Sequence, residues 1–178
     1  MRNLAGSGWG CQKETMLKVY KTYIEPVISY AAAIWVPNTS PSNINLIQRI
    51  QNRALRIATG CHVASSVSHL HQEAQFAFVG NHLNMLCLQL LASASRPTHP
   101  SNAIVSIPSG PCSMKKTLQS AFQSQLDPHL ADGPVDQGNY NSIKKAIHTQ
   151  AVQNTISALG PNPLLGTLKK EGEEEERK

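Results

Sequence analysis

The chain has 178 residues, of which 40% are apolar, 5% aromatic and 15% charged, and its formal charge is +5. This length suits one ordinary domain or a small domain with tails, and the composition excludes an aromatic-rich protein and a fully charged disordered polymer. The longest nearly uninterrupted apolar run, Val27 to Val36, is about half of the roughly 20 residues that a membrane span requires. The N-terminus lacks the apolar region of a secretory signal. We therefore expect an intracellular chain, nuclear or cytoplasmic, that is not secreted and has no membrane partner.

The positive charge is carried by the body of the chain and not by its C-terminal end. Residues 1–168 contain twelve Lys or Arg and six Asp or Glu, whereas residues 169–178 contain four Lys or Arg and five Glu. A basic body favours a polyanionic partner over an acidic-ligand binder. The four cysteines form no Cys-x-x-Cys pair, so we expect reduced thiols.

The first periodic segment predicts a helix that is interrupted near its middle. One face has apolar residues at steps of three or four, namely Leu17, Tyr20, Ile24, Ile28, Ala31 and Trp35. Pro26 removes a backbone donor and disfavours the α conformation at Glu25, so a kink or a break into two helices is expected there. The segment from Pro37 to Ser42 predicts a stop.

The second helix is predicted to begin near Ser42 or Asn43 and to run to about Thr59, with Gly60 as its C-cap. An apolar side is predicted from Ile44, Ile47, Ile50, Ala54, Leu55, Ile57 and Ala58. The opposite side is predicted from Asn45, Gln48, Arg49, Asn52, Arg53, Arg56 and Thr59. On this side the three arginines form a basic stripe with no acidic residue beside it.

Further helices are predicted over Ser66–Ala74, Val79–Ser95 and Asn141–Leu159, with a short one at Met114–Leu126. The fold class that follows is mostly α: a helical bundle, an irregular Pro/Ser-rich linker, one further helix and a charged tail. We expect a helical domain at 1–95, the linker at 96–139, a C-terminal helix and extension at 140–166, and a disordered tail at 167–178.

The basic stripe is the candidate functional site. Three guanidinium groups over about two turns suit a phosphate backbone, with amides adding hydrogen-bond donors; the candidate residues are Arg49, Arg53, Arg56, Gln48, Asn52 and Asn45. An ordinary solvated helix face has the same pattern, and both interpretations stay open. No catalytic residue, metal site or cofactor is predicted, because the carboxylates outside the tail form no Asp–Asp pair or spaced cluster.

Two segments resemble one family in their amino-acid sequence patterns. From Tyr20 to Trp35 the chain reads Y-x-x-x-I-x-P-V-x-x-Y followed by W, and from Ile47 to Gly60 it reads I-Q-x-x-Q-x-x-A-L-R-x-x-T-G. In combination these resemble the region just downstream of the polymerase palm in reverse transcriptases of jockey-like non-LTR retrotransposons. The resemblance extends over residues 4–166.

The resemblance implies a thumb-like region followed by the family's C-terminal extension. Such a region would hold a template–primer duplex of RNA or DNA through its backbone and would pack against the palm domain. The aspartate-bearing palm motifs lie upstream in that family, so the chain is expected to be a truncated piece of an RNA-directed DNA polymerase and not an enzyme by itself. The alternative is a helical protein-interaction module, or a non-functional relic, with no nucleic-acid role.

Overall fold

The computed structural model of the chain describes residues 1, 11–105, 117–130, 135 and 138–159. Every regular element within these residues is helical, which confirms the mostly α fold class. The α-helices are α1 (Lys13–Val19), α2 (Glu25–Ser29), α3 (Ala32–Trp35), α4 (Pro41–Thr59), α5 (Val67–Ala74), α6 (Val79–Ala94), α7 (Asn102–Val105), α8 (Leu118–Leu126) and α9 (Tyr140–Leu159). A π-helical turn covers Tyr20–Ile24, and 3₁₀ turns cover Val36–Asn38 and Asp127–Leu130. The predicted tail at 167–178 lies outside the described residues.

The described residues form two compact units, and each unit combines segments that are distant in sequence. The first unit draws on residues within 1–28, 45–79 and 153–178. Its core brings together the π turn, α4 and α5, and its buried members are Tyr20, Ala54, Leu55, Leu70 and Ala74. The rings of Tyr20 and Phe76 meet edge to face with their centroids 5.2 Å apart, a geometry that aromatic pairs favour.

The second unit draws on residues within 29–44 and 80–152. Its core combines α6, α8 and α9, and its buried members are Cys87, Leu91, Ala92, Phe122, Leu126, Val135, Ile143 and Ile147. The guanidinium of Arg96 lies 4.4 Å from the ring centroid of Tyr140. Helix α8 falls in the stretch expected to be an irregular linker, yet Phe122 and Leu126 belong to this core because their apolar side chains lie one turn apart on the same face.

Local signals in the sequence place most helix ends correctly. Helix α4 ends at Thr59, and Gly60 follows with a φ of 73°, the left-handed conformation that glycine adopts without a steric penalty. Helix α5 is capped by the Ser66 hydroxyl, which accepts the His69 N–H. The predictions over Val79–Ser95 and Asn141–Leu159 are confirmed to within one residue at each end. The short helix begins at Leu118, and residues 114–116 of its predicted range lie outside the described part.

The predicted interruption at Pro26 takes a different form from a simple break. The turn before Pro26 widens into a π turn, in which the Glu25 N–H donates to the Tyr20 carbonyl. A wider turn suits this position because proline has no N–H and its ring crowds the preceding turn of an α-helix. The chain leaves the helix five residues later at Ala31, whose φ is 51°. The placement of Ala31 on the apolar face was therefore wrong, and this residue is exposed.

The predicted orientation of α4 was only partly correct, because the inward face is rotated toward the amide side chains: Ile50 is exposed and Asn52 is buried. Gln51 and Asn52 are buried and Gln48 is half-buried, whereas Leu46 is 54% and Ile50 is 58% exposed. The buried apolar residues Ala54, Leu55 and Ala58 agree with the prediction. The rotation follows from the polar groups that α4 meets in the first unit, which amide side chains can satisfy and isoleucines cannot.

Among the described helices, none is by itself both long enough and apolar enough to cross a membrane.

Candidate functional site

On the exposed side of α4, two arginines alternate with two apolar side chains. Leu46, Arg49, Ile50 and Arg53 are all exposed, and their spacing of three and four residues places them on one face; we call this set the outer face of α4. Helix α4 contains no Asp or Glu at all. The two guanidinium groups therefore have no carboxylate within their own helix to neutralise them. Of the six predicted residues, Arg49, Arg53 and Asn45 are the ones that the structure leaves exposed.

Gln48 and Asn52 are committed to a polar network inside the first unit and not to the surface. The Gln48 Nε2 donates to Gln51 Oε1 at 2.8 Å and to Asn52 Oδ1 at 2.8 Å. The Val79 N–H donates to both Gln48 Oε1, at 2.9 Å, and Gln51 Oε1, at 3.0 Å. Gln51 Nε2 in turn donates to the Ala77 carbonyl at 2.9 Å. These amides satisfy backbone groups of the segment that connects α5 to α6, so they are not available to a ligand.

His71 is the fully buried member of this network. Its Nδ1–H donates to the Phe76 carbonyl at 2.9 Å, so the neutral ring has Nε2 free to accept a hydrogen bond. That Nε2 lies 3.1 Å from Gln48 Nε2 and 2.8 Å from Asn52 Oδ1. As an acceptor it can take a hydrogen only from the Gln48 amide, whose two hydrogens are shared among His71, Gln51 and Asn52, and it makes no hydrogen bond to the Asn52 oxygen, which is also an acceptor. Burial lowers the pKa of His71 below its ordinary value; the hydrogen bond to Phe76 opposes this effect, and the charge of Arg56 adds to it. The network therefore contains a neutral imidazole at pH 7.

Arg56 does not lie beside Arg49 and Arg53 in a single accessible stripe. It is half-buried, and one of its terminal guanidinium nitrogens donates to the Ser65 carbonyl at 3.2 Å. Its Nε is buried and has no hydrogen-bond partner among the described residues. Arg56 thus ties the end of α4 to the loop before α5, and the predicted three-arginine stripe reduces to Arg49 and Arg53.

Two further contacts support α4 and α5 from the N-terminal segment. Burial, assisted by the charge of Glu25, raises the pKa of Tyr20 to about 12, while a hydrogen bond with Gln51 opposes the rise. The Lys13 ammonium pairs with the Glu73 carboxylate, and this contact lowers the pKa of Glu73. Because both partners are about one-third exposed, the ion pair contributes at most about 1 kcal/mol to stability.

No metal-binding site emerges from the described part of the chain. Within it, no three His, Cys, Asp or Glu side chains come together as metal ligands. Cys11, Cys61 and Cys87 are free thiols, and burial raises the pKa of Cys87 to about 11, which keeps this thiol protonated and unreactive.

The residues that sequence reasoning missed are Gln51 and His71 on the inside and Leu46 and Ile50 on the outside. Gln48, Gln51 and Asn52 are spaced as one helix face, and this was the available signal for a polar inner face. It is weak, because amide side chains are on average exposed and isoleucine is on average buried.

Comparison of the chain with protein-family models, with curated proteins and with solved structures finds no match in any of the three.

Proposed function

We propose that this chain is a non-catalytic helical module that binds the phosphate backbone of a nucleic acid through the outer face of α4. The observation that carries the proposal is the pair Arg49 and Arg53, exposed one turn apart on a helix without any acidic residue. Four residues of helix advance about 6 Å along the axis, which allows each arginine to reach a different phosphate of one strand. Guanidinium groups bind phosphate through charge-assisted hydrogen bonds.

The origin of the module is part of the same proposal. The sequence patterns of residues 20–35 and 47–60 support a relationship to the segment that follows the palm of jockey-like reverse transcriptases. Holding a template–primer duplex by its backbone requires basic side chains and no carboxylate chemistry, which agrees with the basic body of the chain. The polymerase activity would then belong to a palm domain that these residues do not include.

Salt dependence of duplex binding tests the proposal. Each phosphate contact makes the slope of log affinity against log salt more negative by about 0.9 on B-form DNA. Removing two contacts with Arg49→Gln/Arg53→Gln should therefore make the slope about 1.8 less negative. The matched control is Lys18→Gln/Lys21→Gln, which removes the same charge from two exposed positions of the first unit. The proposal fails if both double variants flatten the slope equally, because the effect would then reflect net charge alone.

A protein-interaction module is the second candidate, and exposed apolar side chains favour it. Tyr23 is 72% and Val27 is 76% exposed, four residues apart, and Leu46 and Ile50 are more than half exposed. In α6, Leu90 is 46% exposed, whereas Leu83 is buried and Leu86 is half-buried, so of these three leucines Leu90 is the one that adds exposed apolar surface. Light scattering separates the candidates: this reading expects self-association that Tyr23→Gln/Val27→Gln abolishes, whereas a monomer that binds duplex contradicts it.

A further inference from the structure

The outer face of α4 combines exposed positive charge with exposed apolar surface, and neither arginine has an ionic partner among the described residues. A surface of this kind fits an acidic segment that also carries apolar side chains. The chain itself contains one such segment. Residues 160–178, beyond the last described helix, include Leu164, Leu165 and Leu168 and then the acidic run Glu173–Glu176. Basic residues flank this run on both sides, so the segment as a whole carries five Glu and four Lys or Arg, and the acidic character belongs to the run itself.

We propose that this C-terminal segment docks on the outer face of α4, with the carboxylates of Glu173–Glu176 against Arg49 and Arg53, when no polyanion is bound. Tail and nucleic acid then compete for the same two guanidinium groups, and the tail lowers the affinity for nucleic acid. This inference rests on the nucleic-acid-binding role proposed above and identifies its regulation.

The place where the tail begins puts it within reach of α4. The carbonyl of Leu159, the last described residue, accepts a hydrogen bond from Gln72 Nε2 at 2.8 Å in α5. The neighbouring His71 is itself 2.8 Å from Asn52 in α4. Leu159, after which the tail begins, is therefore bound to α5, and α5 contacts α4 within the same unit.

The length of the intervening chain also suffices. The stretch from Gly160 to Glu173 is fourteen residues long. A flexible chain of that length has a root-mean-square span of about 20 Å, and a helix with its side chains is about 10–12 Å across. A tethered segment of this length has an effective concentration of the order of millimolar, so weak charge pairing is enough to populate the docked form at low salt.

The test uses the full chain with Glu173→Gln, Glu174→Gln, Glu175→Gln and Glu176→Gln combined, in two backgrounds. The first background is unchanged and the second carries Arg49→Gln/Arg53→Gln. Without nucleic acid, NMR of the backbone amides of residues 46–53 should differ between the unchanged chain and the tail variant at low salt. With a DNA duplex added, the tail variant should bind about twofold to tenfold more tightly than the unchanged chain, the factors that correspond to a docked form populated at about 50% to 90%.

The arginine-free background separates docking from net charge. In that background the tail substitutions should leave the amide shifts unchanged, and their gain in affinity should be smaller than in the unchanged background, because the coupling needs both partners. An equal affinity gain in both backgrounds, or unchanged amide shifts, overturns docking, and so do shifts that vanish on dilution, because these would report a second copy. If the amide shifts respond but no variant binds duplex, the nucleic-acid role fails and docking stands. If duplex binding depends on Arg49 and Arg53 but the amide shifts do not change, docking fails and the nucleic-acid role stands.

Discussion

His71 Nε2 lies 2.8 Å from Asn52 Oδ1, a contact that joins α5 to α4 across 19 positions of sequence. The other ring nitrogen donates to the Phe76 carbonyl, so the imidazole connects both helices to the start of the α5–α6 connection. Because burial lowers the pKa of His71, protonation of this ring opposes folding and links the stability of the first unit to pH.

We expect the stability of the protein to fall as the pH is lowered below about 6.5, the ordinary pKa of histidine. The folded-state pKa of His71 is lower than this value, so the unfolded chain takes up the proton first, and the loss continues until the folded-state pKa is reached. Urea denaturation between pH 7.5 and 5.5 measures the effect, above the range in which Glu73 titrates. His71→Gln should remove most of the pH dependence, whereas His69→Gln, at an exposed position, should keep it; equal slopes in the two variants would contradict the assignment.

Asn52→Ala should destabilise the protein by about 1–3 kcal/mol, because the half-buried Gln48 amide loses the acceptor at Asn52 Oδ1 and a buried side chain is removed. The matched control is Asn45, an exposed asparagine of the same helix. Asn45→Ala should change the free energy of unfolding by less than about 0.5 kcal/mol. Chemical denaturation at pH 7.5 measures both variants. A neutral Asn52→Ala would mean that Asn52 faces solvent, as its polarity alone suggests.

The rotation of α4 predicts opposite outcomes for two of its apolar residues. Leu55 is fully buried, and Leu55→Ala should cost about 2–5 kcal/mol through lost burial and the cavity left behind. Ile50 is more than half exposed, and Ile50→Ala should change the free energy of unfolding by less than about 0.5 kcal/mol. Similar losses for the two variants would place Ile50 in the core and restore the orientation expected from its hydrophobicity.

Backbone conformation predicts a second pair of opposite signs. Ala31 adopts a φ of 51°, so Ala31→Gly should leave stability unchanged or raise it by up to about 1 kcal/mol, since glycine relieves the left-handed strain. The next residue, Ala32, is helical and buried, and Ala32→Gly should lower stability by about 0.5–1 kcal/mol from backbone entropy alone. Thermal unfolding measures both changes, and a loss in both variants would show that Ala31 is helical.

Local rules were sufficient for the ends of most of the longer described helices. Ser66 caps α5 through its own hydroxyl, Gly60 ends α4 because it tolerates a positive φ, and Pro26 disturbs the helix around it because it lacks an N–H. Each of these effects acts over a few residues, so the residue type and its neighbours determine it. The site followed from sequence only in part, because Arg49 and Arg53 were placed correctly on the exposed side while Gln48 and Asn52 were not.

The amino-acid sequence by itself therefore determined where α4 begins and ends and that it carries two exposed arginines without a neighbouring carboxylate. Only the tertiary structure decided which way the helix faces. The buried imidazole of His71 and the backbone groups of Ala77 and Val79 need hydrogen-bond partners, and the amides of Gln48 and Gln51 supply them. The cost of leaving those buried groups unpaired exceeds the gain from burying Ile50, which leaves that isoleucine in solvent between the two arginines.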